Sequence, residues 1–165
     1  MENTAKKNFI LKGFQIRVAN NKDIPAIKKL VFDALKEFGF VPDEKGTDID
    51  LNDIEKFYTN HNGYFGVLTS SDGNIKGTFG MHYIDNKTCE IRKMYLHPDI
   101  RGKGFGKLML NYLIANAREM GYQKIILETS KILNKAIELY RKYGFKETDD
   151  KPEASRCDKS FELIL

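Results

Sequence analysis

A glycine-spaced loop joins an apolar segment to a helical run, and it constrains the fold more than any other feature of the chain. The apolar segment stops at His97-Pro98, and the loop then reads Arg101-Gly102-Lys103-Gly104-Phe105-Gly106. Glycines at alternating positions let consecutive amide N–H groups face one point. That point lies on the axis of the following helix, whose free N–H groups and dipole favour an anion. The loop therefore predicts a phosphate or pyrophosphate cradle between a strand and a helix.

The spacing of this loop excludes two common phosphate-binding motifs. A P-loop needs Gly, four residues and then Gly-Lys-Ser/Thr, whereas Gly106-Lys107 is followed by Leu108 and has Arg101 five positions before Gly106. The dinucleotide-binding fingerprint needs a third glycine where Lys107 stands. The motif that the loop does match is Arg-x-x-Gly-x-Gly after a strand. The alternative interpretation is a glycine-rich turn that caps an ordinary helix.

Length and composition favour one globular domain. The chain has 165 residues, of which 41% are hydrophobic and 30% are charged, so we expect a single domain over residues 1–165 with residues 1–8 as a flexible tail. The net charge of +4 is spread along the chain rather than held in a basic block, so nucleic-acid binding is not predicted.

The sequence also carries expectations about location and metals. The start lacks the apolar region of a signal peptide and no run is long enough to span a membrane, so we expect a cytoplasmic protein without a membrane partner. The two cysteines form no CxxC pair and the three histidines have no metal-ligand spacing. We therefore expect reduced thiols and no metal.

The order of predicted elements is mixed. Alternating or short apolar runs predict seven strands, at Phe14–Ala19, Gly63–Thr69, Ile75–Ile84, the segment ending at Leu96, Lys124–Thr129, Phe145–Thr148 and Phe161–Leu165. Helical spacing and caps predict helices from Asn20 or Asn21 to about Phe38, near Asp50–Tyr58, from Gly106 to about Met120, and from Asn134 to Tyr140. Turn residues predict hairpins at Ser70–Asn74 and Asp85–Lys87.

An acidic bias marks the loop from Gly39 to Ile49 and the short helix after it. The carboxylates there are Asp43, Glu44, Asp48, Asp50, Asp53 and Glu55. One interpretation is a solvated loop with acids in the first turn of a helix, where the dipole favours them. The other is a negative rim that attracts a cationic amine.

Two segments together resemble the GNAT N-acetyltransferase superfamily. The glycine loop is similar to that family's coenzyme A pyrophosphate loop, and Leu127–Phe145 resembles its second half, a strand, an Asn and then Ala-x-x-Leu-Tyr-x-x-x-Gly-Phe. The resemblance covers roughly Phe14 to the C-terminus. It implies an α+β fold with a mixed, mainly antiparallel sheet of about seven strands and helices on both faces. In that fold the fourth and fifth strands splay apart, and pantetheine lies between them like an added strand.

The resemblance also implies roles for individual residues. The coenzyme-binding residues it implies are Met94, Tyr95, Leu96, Arg101, Gly102, Lys103, Gly104, Phe105, Gly106, Asn134 and Tyr140. Tyr140 matches the acid that serves the leaving thiolate, and its alternative role is a core tyrosine beside Leu139 and Tyr143. Asn134 matches a coenzyme-contacting Asn, although a helix N-cap explains it equally well.

Two glutamates match general bases of different family branches. Glu90 matches the glutamate of the histone acetyltransferases, and Glu128 matches that of the branch that acetylates a ribosomal protein's N-terminus. Partial burial would raise the pKa of either carboxyl and suit it to take a proton near neutral pH. An ion pair with Arg92 would lower the pKa of Glu90, and many relatives use water chains with no dedicated base. Of the two glutamates, Glu90 is the slightly stronger candidate for the general base.

The sequence thus predicts an acetyl-CoA-dependent N-acetyltransferase that acts in a ternary complex on a small-molecule amine or a peptide amine. The alternative is a coenzyme-A-binding regulatory module without turnover. An exposed sheet edge would also allow a homodimer.

Overall fold

One mixed sheet runs through the molecule, in a computed structural model that describes residues 9–165 and the side chains from residue 12 onward. The predicted tail, residues 1–8, lies outside the described residues. The eight strands are β1 (Phe9–Leu11), β2 (Phe14–Val18), β3 (Tyr64–Thr69), β4 (Ile75–Tyr83), β5 (Thr88–Leu96), β6 (Lys124–Thr129), β7 (Lys146–Thr148) and β8 (Lys159–Ile164). The α-helices are α1 (Ile24–Glu37), α2 (Phe105–Glu119) and α3 (Asn134–Lys142).

The sheet confirms the predicted mixed, mainly antiparallel architecture. Its spatial order is β1-β2-β3-β4-β5-β6-β8-β7, and β5 and β6 form its parallel pair. It has one strand more than the predicted seven, because residues Phe9–Leu11 pair with β2 through a tight turn at Lys12-Gly13, where both residues have positive φ. The edges are β1 and β7, and the homodimer that an exposed edge would allow stays a prediction.

Helices cover both faces of the sheet, and β3 shows how. This strand is buried along its whole length. Phe65 and Val67 belong to the core cluster that contains the buried side chains of α1, whereas Tyr64 and Leu68 belong to the cluster that contains those of α2 and α3. Because side chains alternate along a strand, one strand supplies two separate cores.

The predicted N-cap of the first helix is confirmed at Asn20. Its side chain accepts a hydrogen bond from Lys22 N (2.9 Å), and the Asp23 carboxylate accepts one from Asn20 N (3.0 Å), which makes a capping box. The cap begins a 3-10 helix, Asn21–Asp23, that continues into α1 with Pro25 in the first turn.

The helix predicted near Asp50–Tyr58 is not one α-helix. Ile49–Asn52 form a 3-10 helix, and Glu55–Thr59 form a π-helix. Asn21 holds this segment in place, because its Nδ2 donates to Asp53 Oδ1 (2.9 Å) and its Oδ1 accepts a backbone amide of the π-helix (3.1 Å). The helix was predicted from local residue spacing, and a contact with a distant residue such as Asn21 does not show in that spacing.

The strands β5 and β6 are paired at one end and separate at the other. Their register ends at Ile91↔Leu127, although β5 continues to Leu96. Beside that point the register between β4 and β5 shifts, and Lys93 has a positive φ of 54°. Two residues of β5 oppose one of β4 there, and such a β-bulge bends its strand. This opening corresponds to the splay that the resemblance implies.

No helix in the described part of the chain combines the length and the hydrophobicity needed to cross a membrane. Both cysteines are free: Cys89 is buried and Cys157 is half-buried. Within residues 12–165, no group of three or more His, Cys, Asp or Glu side chains could hold a metal ion.

Candidate active site

The glycine loop lies between a 3-10 turn, Pro98–Ile100, and the start of α2. Gly102 and Gly104 have positive φ angles of 73° and 90°, which other residues rarely adopt, and no atom lies within 4 Å of a Cβ built on either. Gly104 is the N-cap of α2, and Leu108 N donates to Gly104 O (3.1 Å) as the helix begins. The amides before Leu108 therefore lack intrahelical acceptors and point out of the helix end, as a cradle requires.

The third glycine has a different role from the one predicted. Gly106 lies in the first turn of α2 and its φ is not positive, so it does not curl the backbone. A Cβ at this position would lie 3.3 Å from Leu139 Cδ2 of α3, closer than most side chains approach. Gly106 therefore allows α2 and α3 to pack closely beside the cradle.

The side chains of the loop contact the protein. Arg101 Nη1 and Nη2 donate to the Glu37 carboxylate (2.6 and 2.9 Å), and its Nε donates to Leu96 O (2.9 Å). Lys103 Nζ donates to a backbone carbonyl, Asp99 O (2.8 Å), and Phe105 is 2% exposed in the core. What the loop offers to an anion is therefore its backbone.

A cavity of about 540 Å³ opens where β5 and β6 separate. It brings together five of the predicted site residues: Glu90, Met94, Tyr95, Glu128 and Tyr140. The predicted site thus has two parts, the glycine loop and this cavity.

Two predicted coenzyme contacts lie outside the cavity lining. Leu96 packs against the core and its carbonyl is occupied by Arg101, so its backbone is less free than predicted. Asn134 is exposed in the first turn of α3. The N-cap explanation for Asn134 is wrong, because Leu133 holds that position and the helix has no side-chain cap.

Glu90 is a buried carboxylate on the cavity wall, with 7% of its surface exposed. Arg92 Nε donates to its Oε2 (2.6 Å), as the sequence led us to expect. Burial raises the pKa of Glu90 above its ordinary value, and Arg92 offsets only part of that effect. The ion pair with Arg92 therefore does not cancel the raised pKa that suits Glu90 to act as a general base.

Glu128 lies on the same wall but has different partners. Its Oε1 accepts from Glu153 N (2.8 Å) and its Oε2 accepts from Ala154 N (3.0 Å). Both oxygens are thus occupied by the turn that leads to β8, and Glu128 anchors that turn beside the cavity.

Tyr140 is both a core residue and a cavity residue, so its place in the core is compatible with the role of an acid, which stays a prediction. It is 7% exposed and packs in the cluster that contains α2, and its hydroxyl lies 4.0 Å from Met94 Sδ. Burial raises the pKa of the Tyr140 hydroxyl, so the group stays protonated at neutral pH. Burial likewise raises the pKa of Cys157, also on this wall, to about 11, so its thiol is a poor nucleophile.

A buried ion cluster, formed by Asp48, Asp50, Lys93 and Arg156, lies beside the cavity. Asp48 accepts from Lys93 Nζ (2.8 Å) and from both terminal nitrogens of Arg156 (2.9 and 2.6 Å). Lys93 Nζ also lies 3.3 Å from Asp50 Oδ1, and Tyr58 donates its hydroxyl proton to Asp50 Oδ2. The two acids and two cations balance in charge, and they tie two distant segments, the loop with Asp48 and Asp50 and the turn with Arg156, to the bulge at Lys93.

This ion cluster corrects both interpretations of the acidic loop at two positions. Asp48 and Asp50 are 0% and 2% exposed, so they are neither solvated nor part of a negative rim. Sequence reasoning missed Lys93 and Arg156 entirely. Their partners lie more than forty and more than a hundred positions away, and no spacing rule connects such residues.

Comparisons with known proteins agree with this geometry. A sequence profile for the Acetyltransferase (GNAT) family matches residues 28–145. The uncharacterized N-acetyltransferase YjgM of Escherichia coli is 30% identical over 154 residues, which cover 90% of this chain and 89% of YjgM. An uncharacterized N-acetyltransferase of Schizosaccharomyces pombe is 29% identical over 129 residues, or 78% of this chain and 79% of the relative.

Solved structures share the fold. An acetyltransferase of the GNAT family from Staphylococcus aureus superposes with a TM-score of 0.84 at 23% identity, over 92% of this chain and 99% of that one. A GNAT superfamily phosphinothricin acetyltransferase from Sinorhizobium meliloti, solved in complex with acetyl-CoA, has a TM-score of 0.72 at 19% identity, over 93% and 89%.

The fold and the relatives define the class of protein as an acyltransferase. The chain belongs to the acetyltransferase (GNAT) family. This confirms the family, the fold and the enzyme class that the sequence predicted, and the roles of individual residues stay predictions.

Proposed function

We propose that this chain is an N-acetyltransferase that uses acetyl-CoA and transfers the acetyl group to a primary amine in a ternary complex. The observation that carries the proposal is the opening between β5 and β6, which holds a cavity of about 540 Å³. The glycine loop that follows β5 supplies the backbone amides of the proposed cradle. The S. meliloti relative that binds acetyl-CoA has the same fold, which supports the choice of donor.

The residues present fit coenzyme A. The diphosphate would lie on the amides around Gly102 and Gly104, where a Cβ would meet nothing within 4 Å. Beyond Ile91 the backbone of β5 has no partner in β6, so Met94 and Tyr95 can pair with the amides of pantetheine. A bound acetyl thioester supplies the electrophilic carbonyl.

Glu90 is proposed as the general base and Tyr140 as the hydrogen-bond donor to the leaving sulfur. Glu90 has a raised pKa, and among the described residues its Oε1 has no hydrogen-bond partner, whereas Glu128 has both oxygens occupied. The amine nitrogen bonds to the acyl carbon as the C–S bond breaks, and sulfur leaves with that electron pair. The amine proton passes to Glu90, and the Tyr140 hydroxyl donates a hydrogen bond to the thiolate as it leaves.

Release of free thiol from acetyl-CoA, followed across a panel of amines, tests the proposal. Tyr140→Phe should lower kcat roughly tenfold or more and leave coenzyme affinity unchanged in calorimetry. Tyr143→Phe is the matched control, since Tyr143 lies just after α3 and does not line the cavity. Coenzyme binding without turnover on any amine would favour the regulatory module, and absent binding would contradict both functions.

A further inference from the structure

Three cationic side chains line the cavity: Arg92, Lys93 and Arg156. They differ in how accessible they are to a bound molecule. Lys93 and Arg156 are held by the buried acids, and their side chains are 4% and 14% exposed. The side chain of Arg92 is 31% exposed. Arg92 is therefore the cation that a bound molecule reaches most easily.

Arg92 and Glu90 meet through a single oxygen. Arg92 Nε donates to Glu90 Oε2 (2.6 Å), and Nη2 lies 2.5 Å from the same atom. An arginine and a carboxylate frequently pair through both oxygens. Within residues 12–165, no hydrogen bond engages Arg92 Nη1 or Glu90 Oε1. One donor of Arg92 and one acceptor of Glu90 thus remain free in this pair of residues on the cavity wall.

An α-amino acid carries a matching pair of groups. Its amine and its carboxylate are attached to one carbon atom, so the two groups can reach neighbouring protein atoms together. The carboxylates of Glu128 and Glu153 also act on Glu90, and they favour a cationic amine at that end of the cavity. The opposite charge of the acceptor then faces Arg92.

Apolar side chains form another part of the cavity wall. His82 pairs with Glu90 across β4 and β5, and its Nδ1 lies 3.2 Å from Phe57 O. Phe57, Phe40 and Ile84 line the cavity, and Ile84 is 41% exposed although it is a large apolar residue. Such a wall favours an apolar group on the bound molecule.

We propose that the acceptor is a free α-amino acid with an apolar side chain. Its amine lies beside Glu90 Oε1, its carboxylate accepts from Arg92 Nη1, and its side chain packs against Phe57 and Ile84. The products are the N-acetylamino acid and the coenzyme thiol. This assignment rests on the proposed N-acetyltransferase function and adds Arg92 to it as a specificity-determining residue.

The test compares acceptors that share a side chain and differ in the carboxylate. L-phenylalanine is compared with L-phenylalaninamide, 2-phenylethylamine and the dipeptide Phe-Ala, and L-leucine is compared with 3-methylbutylamine. The kcat/KM for the free amino acids should exceed that for the matched amines roughly tenfold to a hundredfold, the effect of one hydrogen bond between charged groups. In Arg92→Gln this ratio should fall to about one.

The ratio is the decisive readout, because Arg92→Gln also alters Glu90 and so changes the rate with every acceptor. Arg92→Lys should restore part of the ratio, since it keeps the charge. Arg118→Gln, an exposed residue that does not line the cavity, should leave the ratio unchanged.

Equal rates for phenylalanine and 2-phenylethylamine would overturn the acceptor assignment and leave the proposed function standing. Turnover of Phe-Ala or the amide in preference to phenylalanine would overturn it in favour of a peptide N-terminus. Coenzyme binding with no turnover of any acceptor would also overturn it. Loss of coenzyme binding itself, measured by calorimetry, would instead contradict the proposed function.

Discussion

The two parts of the candidate site are built in opposite ways. The donor part, residues 101–106, is contiguous in sequence and presents backbone amides, while its charged side chains bind other protein groups. The proposed acceptor part consists of charged side chains from three distant segments: Asp48, Asp50, Glu90, Arg92, Lys93 and Arg156. A backbone site depends on local conformation, and a side-chain site depends on the tertiary fold. The two should therefore respond differently to substitution.

Breaking the buried ion cluster should have the largest effect. Asp48→Asn places an amide where four donors converge, from Asp43 N, Lys93 and both terminal nitrogens of Arg156. Removing one partner of a buried ion pair costs about 3–5 kcal/mol, and we expect that loss in the free energy of unfolding measured with urea. Asp33→Asn, which removes an exposed i,i+4 pair with Lys29, should change the free energy of unfolding far less, because solvent screens that pair.

The same cluster should add a pH dependence to stability. Burial alone would raise the pKa of Asp48, but Arg156 and Lys93 hold it below its ordinary value. Because the pKa of Asp48 is lower in the folded chain than in the unfolded chain, the ionised carboxylate stabilises the fold at pH values above the unfolded pKa, about 3.9. This contribution to the free energy of unfolding is lost progressively as the pH falls below about 3.9, toward the folded pKa. Asp48→Asn should lack this pH-dependent contribution, so its free energy of unfolding should approach that of the parent chain at low pH. A difference in the free energy of unfolding that stays constant from pH 7 to pH 3 would contradict the role of the ion cluster.

Removing the proposed base should have the next largest effect, this time on activity. Glu90→Gln should lower kcat/KM by about a hundredfold to ten-thousandfold. Glu90 must be ionised to accept a proton, and its pKa is raised, so the parent enzyme should lose kcat/KM with falling pH at an inflection above about 4.3. That inflection should be absent in Glu90→Gln.

Glu128→Gln is the matched control on the same cavity wall. Because both Glu128 oxygens accept backbone amides of the turn before β8, we expect it to change stability or KM rather than the pH profile. If Glu128→Gln instead removed the acid inflection and Glu90→Gln kept it, the roles of the two carboxylates would be exchanged.

The same contrast explains what the sequence could predict. The left-handed conformation of the loop at Gly102 and Gly104 was predictable, because these glycines carry their conformational requirement within the motif itself. The acceptor part was not, because Asp48 pairs with Lys93 and with Arg156, which lie 45 and 108 positions further along the chain. Even within the motif, the sequence did not indicate that Gly106 packs against Leu139, since α3 lies outside it.

A smaller, two-sided effect is expected at Gly104. A Cβ meets no neighbour there, so Gly104→Ala should cost only the left-handed conformation, about 1–2 kcal/mol in the free energy of unfolding. We expect the added methyl group to hinder coenzyme A on the proposed cradle, so the Kd for coenzyme A should rise roughly tenfold, about 1.4 kcal/mol.

Gly73→Ala separates these two effects. Gly73 has a φ of 83°, nearly that of Gly104, and also lacks neighbours around a Cβ, but it lies in the hairpin turn between β3 and β4. It should lose the same stability with no change in coenzyme affinity. Equal affinities of Gly73→Ala and Gly104→Ala for coenzyme A would mean that the diphosphate does not lie on this loop.

The smallest effect should come from the most conspicuous cation of the loop. Arg101 pairs with Glu37 at the exposed end of α1, and both side chains are partly open to solvent, 32% and 45%. Such a pair contributes about 0–1 kcal/mol, so Arg101→Gln should hardly change stability, and the Kd for coenzyme A should stay within about twofold. Glu37→Gln breaks the same pair without altering the loop, so it should match Arg101→Gln in both stability and the Kd for coenzyme A. If Arg101→Gln weakened coenzyme binding and Glu37→Gln did not, the guanidinium would leave Glu37 to bind the diphosphate, and the donor part would depend on a side chain after all.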